Sequence, residues 1–473
     1  MSLKFMHSNR ETPFIFPPNI DDWLPEDHLA RFIVDIVGRL DLSDIESSYS
    51  EQTKGQKAYE PTMMVSLIFY CLVTGILSSR KMERATWESI PVRFITGDLH
   101  PDHDTISSFR KRMKDSLDKI FLKILLIAQE MGLLKLGTVS LDGTKMKANA
   151  SKHKAMSYEY ACKLEKQLKE ELAQLLAQSE AEEAADAKKP ELSIPEEIRR
   201  REDRLATIER VKAEIARREK ERYEKEKAEY EAKMEARAAK ESATGKKIGG
   251  KEPTAPKEEI SGKAQMNMTD EDSRIMPKGK GTFEQSYNAQ AGVDVDSRLI
   301  INEHVTQSPN DKEELKPAIT EMQALPDELG EVEKLLADTG FYSEENLKAA
   351  ERAGIDPFIP ASREKHNEEL KSRMEGAGPD PEEGAGVKER TAHKMKTESG
   401  RKEYAKRKGT SEPVFGIIKK VIGYSSFMTR GFENVQKEWT YVCIGYNLKR
   451  LFTLFNTTKG VLSPVFKVIE QMG

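Results

Sequence analysis

Cysteine is scarce in this chain: Cys71, Cys162 and Cys443 are the only three in 473 residues. They lie far apart and in no paired spacing, so neither a zinc pattern nor a disulfide framework can be built from them. Reduced thiols in a cytosolic protein are the expectation. A long hydrophobic run is also missing. The longest, MMVSLIFYCLVTGIL (Met63–Leu77), is too short to span a bilayer and leads into basic residues, so it reads as a buried helix. The opening MSLKFMHSNRE has no apolar signal core. No membrane partner and a soluble, cytoplasmic protein are expected. A basic excess is absent too: the net charge of -4 argues weakly, by itself, against nucleic acid. His100, His103, His304 and His393 are too scattered to form a ligand cluster.

What is present divides into two textures. At roughly 150 residues per domain, this length allows two to four domains. Residues 60–145 and 285–345 carry apolar runs that can fill a core, while 159–280 and 362–410 are mostly charged. Local charge also departs from the total. Residues 401–420 hold seven Lys or Arg against two Glu, net +5, and residues 105–123 hold six against two Asp, net +4. A phosphate-binding face needs that local excess, and an acidic segment elsewhere can cancel it in the sum.

Residues 1–130 read as an all-α domain. Leu29, Phe32, Ile33 and Ile36 recur at helical spacing, and Pro61 opens a second helix. Ser78 to Glu88 is a third. Asp104 or Thr105 can cap a helix that turns Ile106, Phe109 and Met113 inward and leaves Arg110, Lys111, Arg112 and Lys114 mainly outside. That pattern fits a helix-turn-helix-like DNA binder, or a small bundle with a solvated basic face. From Thr138 the texture turns to strand: VSLDGT, then a hairpin over 286–306 broken at 295–298, then EKLLADTGF and DPFIPAS. Helices over 312–325 and 344–353 alternate with the later strands, which makes a mixed α/β sheet. Residues 156–280 read as an inserted charged helical hairpin and linker. Its seams are Leu164, Leu168, Leu172, Leu175 and Leu176 on one helix and Leu205, Ile208, Val211 and Ile215 on the other. The α/β part would then comprise 131–155 and 281–473.

The stretch VSLDGTKMKANAS puts Asp142 after a buried apolar run, and KLLADTGF does the same for Asp338. Either Asp could simply close a turn. If the two strands are parallel neighbours, both carboxylates share the carboxyl edge where open α/β sheets bind ligands. Glu412 stands before Pro413 at a helix start, with Val414, Ile417 and Ile418 inward and Lys419 seven residues on, on the same face. A Glu there could merely answer the helix dipole. Together, three hard oxygen ligands can hold two Mg²⁺ ions for phosphodiester chemistry. Asp142 would then lack a protein counter-charge because metal is its partner. Asp311, at the start of a helix, reads as a cap.

These stretches resemble the DDE transposases of bacterial insertion sequences. The resemblance is carried by VSLDGTKMKANAS, NMTDEDSRIM with FEQSYNAQAGVD, LLADTGFYSEEN, YAKRKGTSEPVFGIIKK and RGFENVQKEWTYVCIGYNLKRL, in the family's order and over most of the chain. It implies a ribonuclease-H-like catalytic domain in which Asp142, Asp338 and Glu412 bind two Mg²⁺ ions, with Mn²⁺ able to substitute. It also implies cleavage at element ends, strand transfer into target DNA, a homodimer on DNA and a place at the bacterial nucleoid. Tyr404, Arg407 and Lys419 resemble the Tyr-Arg-Glu-Lys signature of related enzymes. Four residues separate Arg407 from Glu412, one more than the commonest form, and Lys408 fits the strict spacing. The expected DNA contacts are therefore Tyr404, Arg407, Lys408, Lys419 and Lys145, with Lys147 beside it, and Arg110, Lys111 and Arg112 in the helical region. A silent DNA-binding descendant and a nuclease of the same fold are the alternatives.

Overall fold

Phe32, Ile33 and Ile36 form the buried face of the first helix, α1 (Leu29–Val37). In this computed structural model, which describes residues 19–49, 58–185, 193–245, 249, 252–279, 281–362, 378–382 and 384–469, six more helices follow. They are α2 (Ser43–Ser47), α3 (Pro61–Val73), α4 (Ser79–Glu88), α5 (Ile90–Thr96), α6 (His103–Met113) and α7 (Leu117–Glu130). Pro61 sits in the first turn of α3, where its missing N–H costs nothing, and every residue from Met64 to Val73 is buried. This is the apolar run Met63–Leu77, and among the described residues no helix is long and apolar enough to cross a membrane. Helix α6 is capped by Asp102, whose carboxylate accepts from the Thr105 N–H at 2.7 Å. The expected cap at Asp104 or Thr105 is corrected: the helix starts earlier, and Asp104 lies within its first turn.

By internal contacts the chain forms two units, residues 1–146 with 287–473, and residues 147–286. The strands in chain order are β1 (Thr138–Lys147), β2 (Ala155–Ser157), β3 (Gln265–Asn267), β4 (Arg274–Pro277), β5 (Phe283–Asp294), β6 (Ile300–Thr306), β7 (Lys334–Leu336) and β8 (Asp356–Phe358). The 147–286 unit is built on two long helices, α8 (Tyr158–Ala185) and α9 (Ile194–Thr244). Leu164 and Leu168 meet Ile208, Val211 and Ile215, and β2 pairs antiparallel with β3 so that Met156 and Met266 complete this small core. Leu176, placed on the apolar seam by its spacing, is 47% exposed, because the shared core ends nearer the start of α8. The expected break between the helices falls partly on 186–192, outside the described residues.

The larger unit is organised by a mixed sheet in the order β6-β5-β1-β7-β8. The hairpin β5-β6 is antiparallel, and its turn is closed by the Asp294 carboxylate, which accepts from the Ser297 N–H and hydroxyl. β7 is parallel to β1 on one side and to β8 on the other. Helices α10 (Leu315–Gln323) and α11 (Glu344–Arg352) supply the crossovers. The C-terminal helix Phe432–Ile469 lies on β5 and β6: the Trp439 indole N–H donates to Gln290 O at 2.9 Å, and the Asn447 amide exchanges two hydrogen bonds with Ile300. Against the helical region, Tyr441 lies under Arg110 and Lys437 pairs with Asp118. The sheet is thereby held between helices, and its β1-β7 pair is left to carry the site.

Candidate active site on two parallel strands

The register between β1 and β7 decides the geometry. Thr138, Val139 and Ser140 pair with Lys334, Leu335 and Leu336. Asp142 and Asp338 each lie two residues past the last pair, so the parallel register sets them side by side. The strand read from VSLDGT continues past Thr144 to Lys147. Asp338 does close its strand, as the cap of a short 3₁₀ turn, and its carboxylate accepts from the Gly340 N–H at 2.7 Å.

The third acid reaches the same strand through its neighbour. Ser411 and Ser140, both fully buried, share a hydroxyl–hydroxyl hydrogen bond of 2.7 Å. This fastens the helix Ser411–Gly416 to β1 two residues before Asp142, with Val414 inward and Glu412 exposed. A π-helical turn, Ile417–Val421, follows, and Lys419 donates from it to the Thr144 hydroxyl and to Lys145 O.

Asp142 is not left without a protein counter-charge, and that expectation is corrected. Arg407 Nη1 lies 3.2 Å from Asp142 Oδ2, with the two side chains 12% and 19% exposed. Burial pushes the Asp142 carboxyl up to about 6; Arg407 opposes this, while Asp338 and Asp311 add to it. Arg407 is thus turned inward toward an acid, whereas Lys408 is exposed. Tyr404 is one turn before Arg407, whose N–H donates to Tyr404 O. Lys147 forms an ion pair with Glu284 at 3.9 Å. In the helical region Arg110 donates to Leu77 O and Arg112 to Ser48 O, and Lys111 is exposed between them.

Asp311 is the residue the sequence reading placed wrongly. Its carboxylate caps no helix: Oδ1 accepts from the Asn288 amide at 2.7 Å and from the Gln290 amide at 2.8 Å. A Cβ on Gly143 would strike the Gln290 amide nitrogen and come within 2.7 Å of Asp311 Oδ1. Asp311 therefore sits directly beside Gly143, the residue after Asp142 on β1. The readable signal was in SYNAQAGVD, where polar residues two apart interrupt an otherwise buried strand. His304, given no role, is buried between Glu314 and Glu321 at 3.2 Å each.

Two family models match the chain. The model described as Transposase DDE domain matches residues 252–448, and that described as Transposase domain (DUF772) matches residues 18–112. Together they indicate a DDE-type insertion-sequence transposase. The first span contains Asp338, Arg407, Glu412 and Lys419, the second contains α6 up to Arg112, and Asp142 lies between them. Neither a curated protein nor a solved structure matches. Transposases of this family act on DNA and generally use divalent metal ions. The donors here suit such an ion: carboxylate oxygens are hard ligands, and the buried carbonyl oxygens of Asn288 and Gln290 lack a protein partner. Among the described residues, no three His, Cys, Asp or Glu side chains stand close enough to enclose one ion. Arg407 faces Asp142 instead.

Proposed function

We propose that this transposase cuts DNA at the ends of its element and joins the freed 3′-hydroxyls to target DNA. The carrying observation is the β1-β7 register, which sets Asp142 and Asp338 side by side on a carboxyl edge. On this reading the sheet is ribonuclease-H-like. Residues 131–155 and 281–473 form the catalytic domain, 156–280 is a helical insertion, and 1–130 is a DNA-binding helical domain. Asp142, Asp338 and Glu412 would hold two Mg²⁺ ions, with Mn²⁺ as a substitute. Such ions, when bound, activate the attacking water or 3′-hydroxyl and stabilise the leaving oxygen. The chain's own groups do the rest. The Gly340 N–H fixes Asp338, Ser411 docks the Glu412 helix on β1, and Arg407 holds Asp142. Lys145, Tyr404, Arg407, Lys408 and Lys419 would contact the backbone near the cut. On α6, Arg110 and Arg112 anchor the basic face through Leu77 and Ser48, and Lys111 and Arg112 are exposed. The working form would be a homodimer on DNA, at the nucleoid in the cytoplasm.

A strand-transfer assay with DNA bearing the element's ends tests this directly. Joined product is expected. Cut product without joining would make the protein a nuclease, and a mobility shift without cutting would make it a silent binder; either result sinks the proposal.

The phosphate contacts have their own test. Lys408→Ala and Lys419→Ala should each weaken binding to specific and unrelated DNA alike. Each should also make log K against log[salt] shallower by about one unit per lost contact. Unchanged slopes in both variants would remove these lysines from the DNA interface.

A further inference from the structure

We propose that Asp311 is a fourth carboxylate of the cation site, held for that role by the buried amides of Asn288 and Gln290. This rests on the reading of Asp142 and Asp338 as cation ligands. Its placement is the first support. Asp311 Oδ1 would lie 2.7 Å from a Cβ on Gly143, and Oδ2 3.6 Å from a Cβ on Gly340. The carboxylate therefore stands between Gly143 on β1 and the 3₁₀ turn that follows Asp338.

The way it is held is the second support. Asn288 and Gln290 are fully buried, two residues apart on β5, and both give an N–H to the same oxygen. Two donors on one oxygen fix the position of the carboxylate and leave Oδ2 outside that clamp. Holding Asp311 in this way strands the other end of each amide. Asn288 Oδ1 and Gln290 Oε1 are buried with no hydrogen-bond partner. Turning either amide over would set oxygen against oxygen at Asp311. A buried acceptor left open needs a donor, and water on a hydrated cation would supply one. The turn into α10 does not require this carboxylate, because Glu314 N–H already donates to Asp311 O at 3.1 Å. Arg407 pairs with Asp142 and is also acted on by Asp338, and Asp311 adds a further carboxylate beside Asp142.

The test is Mn²⁺ binding to the full-length, DNA-free protein, measured by the electron-spin signal of free Mn²⁺. Asp311→Asn should weaken binding by about 10- to 100-fold, with its melting temperature near that of wild type. Wild-type affinity in Asp311→Asn, with affinity lost in Asp142→Asn and Asp338→Asn, would overturn the assignment of Asp311 and leave the other two standing. Wild-type affinity in all three would overturn the underlying reading. Should Asp311→Asn fail to fold, Gln290→Met carries the test. It removes one donor and one open acceptor at similar volume and should weaken Mn²⁺ severalfold; unchanged affinity there would likewise overturn the proposal.

Discussion

Asp142→Asn, Asp338→Asn and Glu412→Gln are each expected to slow DNA cleavage about a thousandfold or more, with DNA affinity within a fewfold of wild type. Each change swaps one anionic oxygen for an amide of the same shape. The loss of a single cation ligand removes several kcal/mol of transition-state stabilisation, and each ~1.4 kcal/mol is a factor of ten in rate. The three should differ in stability, which separates chemistry from folding. Asp142 is a partner in a largely buried ion pair, so its replacement leaves Arg407 uncompensated and should lower the melting temperature. Glu412 is exposed, and its replacement should leave the melting temperature unchanged. An inactive Glu412→Gln protein with wild-type melting and DNA binding is therefore the cleanest result. Near-wild-type cleavage by any one of the three purified variants would remove that residue from the catalytic set.

Much of the architecture could be read from local pattern. The hairpin β5-β6, the helices α10 and α11 and the long pair α8-α9 all announce themselves through periodicity and turn chemistry. The parallel β1-β7 pairing entered only as a condition, that two apolar runs ending in Asp be neighbours, and the structure meets it. Non-local contacts were not legible. Nothing around Arg407 in YAKRKGTSEP says that it reaches back 265 residues to Asp142. Asp311 looked like a cap because Asp before a helix usually is one. The helix after Asp311 instead has its N-cap at Glu314, which frees the aspartate to face β5. The π-turn that aims Lys419 at Thr144 also has no sequence marker, since it is set by how the Glu412 helix is docked on β1.

Gly143→Ala is expected to cost about a hundredfold in cleavage, although Gly143 carries no chemistry of its own. It lies within β1 and has no positive φ, so the cost of a side chain there is steric alone. The added methyl would meet the Gln290 amide, and it would come within 2.7 Å of Asp311 Oδ1 and 2.8 Å of Gln290 Cδ. A surface glutamine would swing aside at little cost. Gln290 is fully buried, with its amide tied to Asp311, so it can yield only by releasing that carboxylate or by pushing β1 away. Overpacking of this kind costs about 1–3 kcal/mol in stability, which should appear as a lower melting temperature. A shift of about 1 Å at reacting groups can by itself cost about a hundredfold in rate, and Asp142 is the adjacent residue. Gly137→Ala is the matched control: it lies just ahead of β1, and a Cβ there meets nothing within 4 Å. Cleavage rates and melting curves for the two alanine variants decide the matter. If Gly143→Ala melts and cuts like Gly137→Ala, the close approach of Gln290 and Asp311 to Gly143 plays no part in the function of the site.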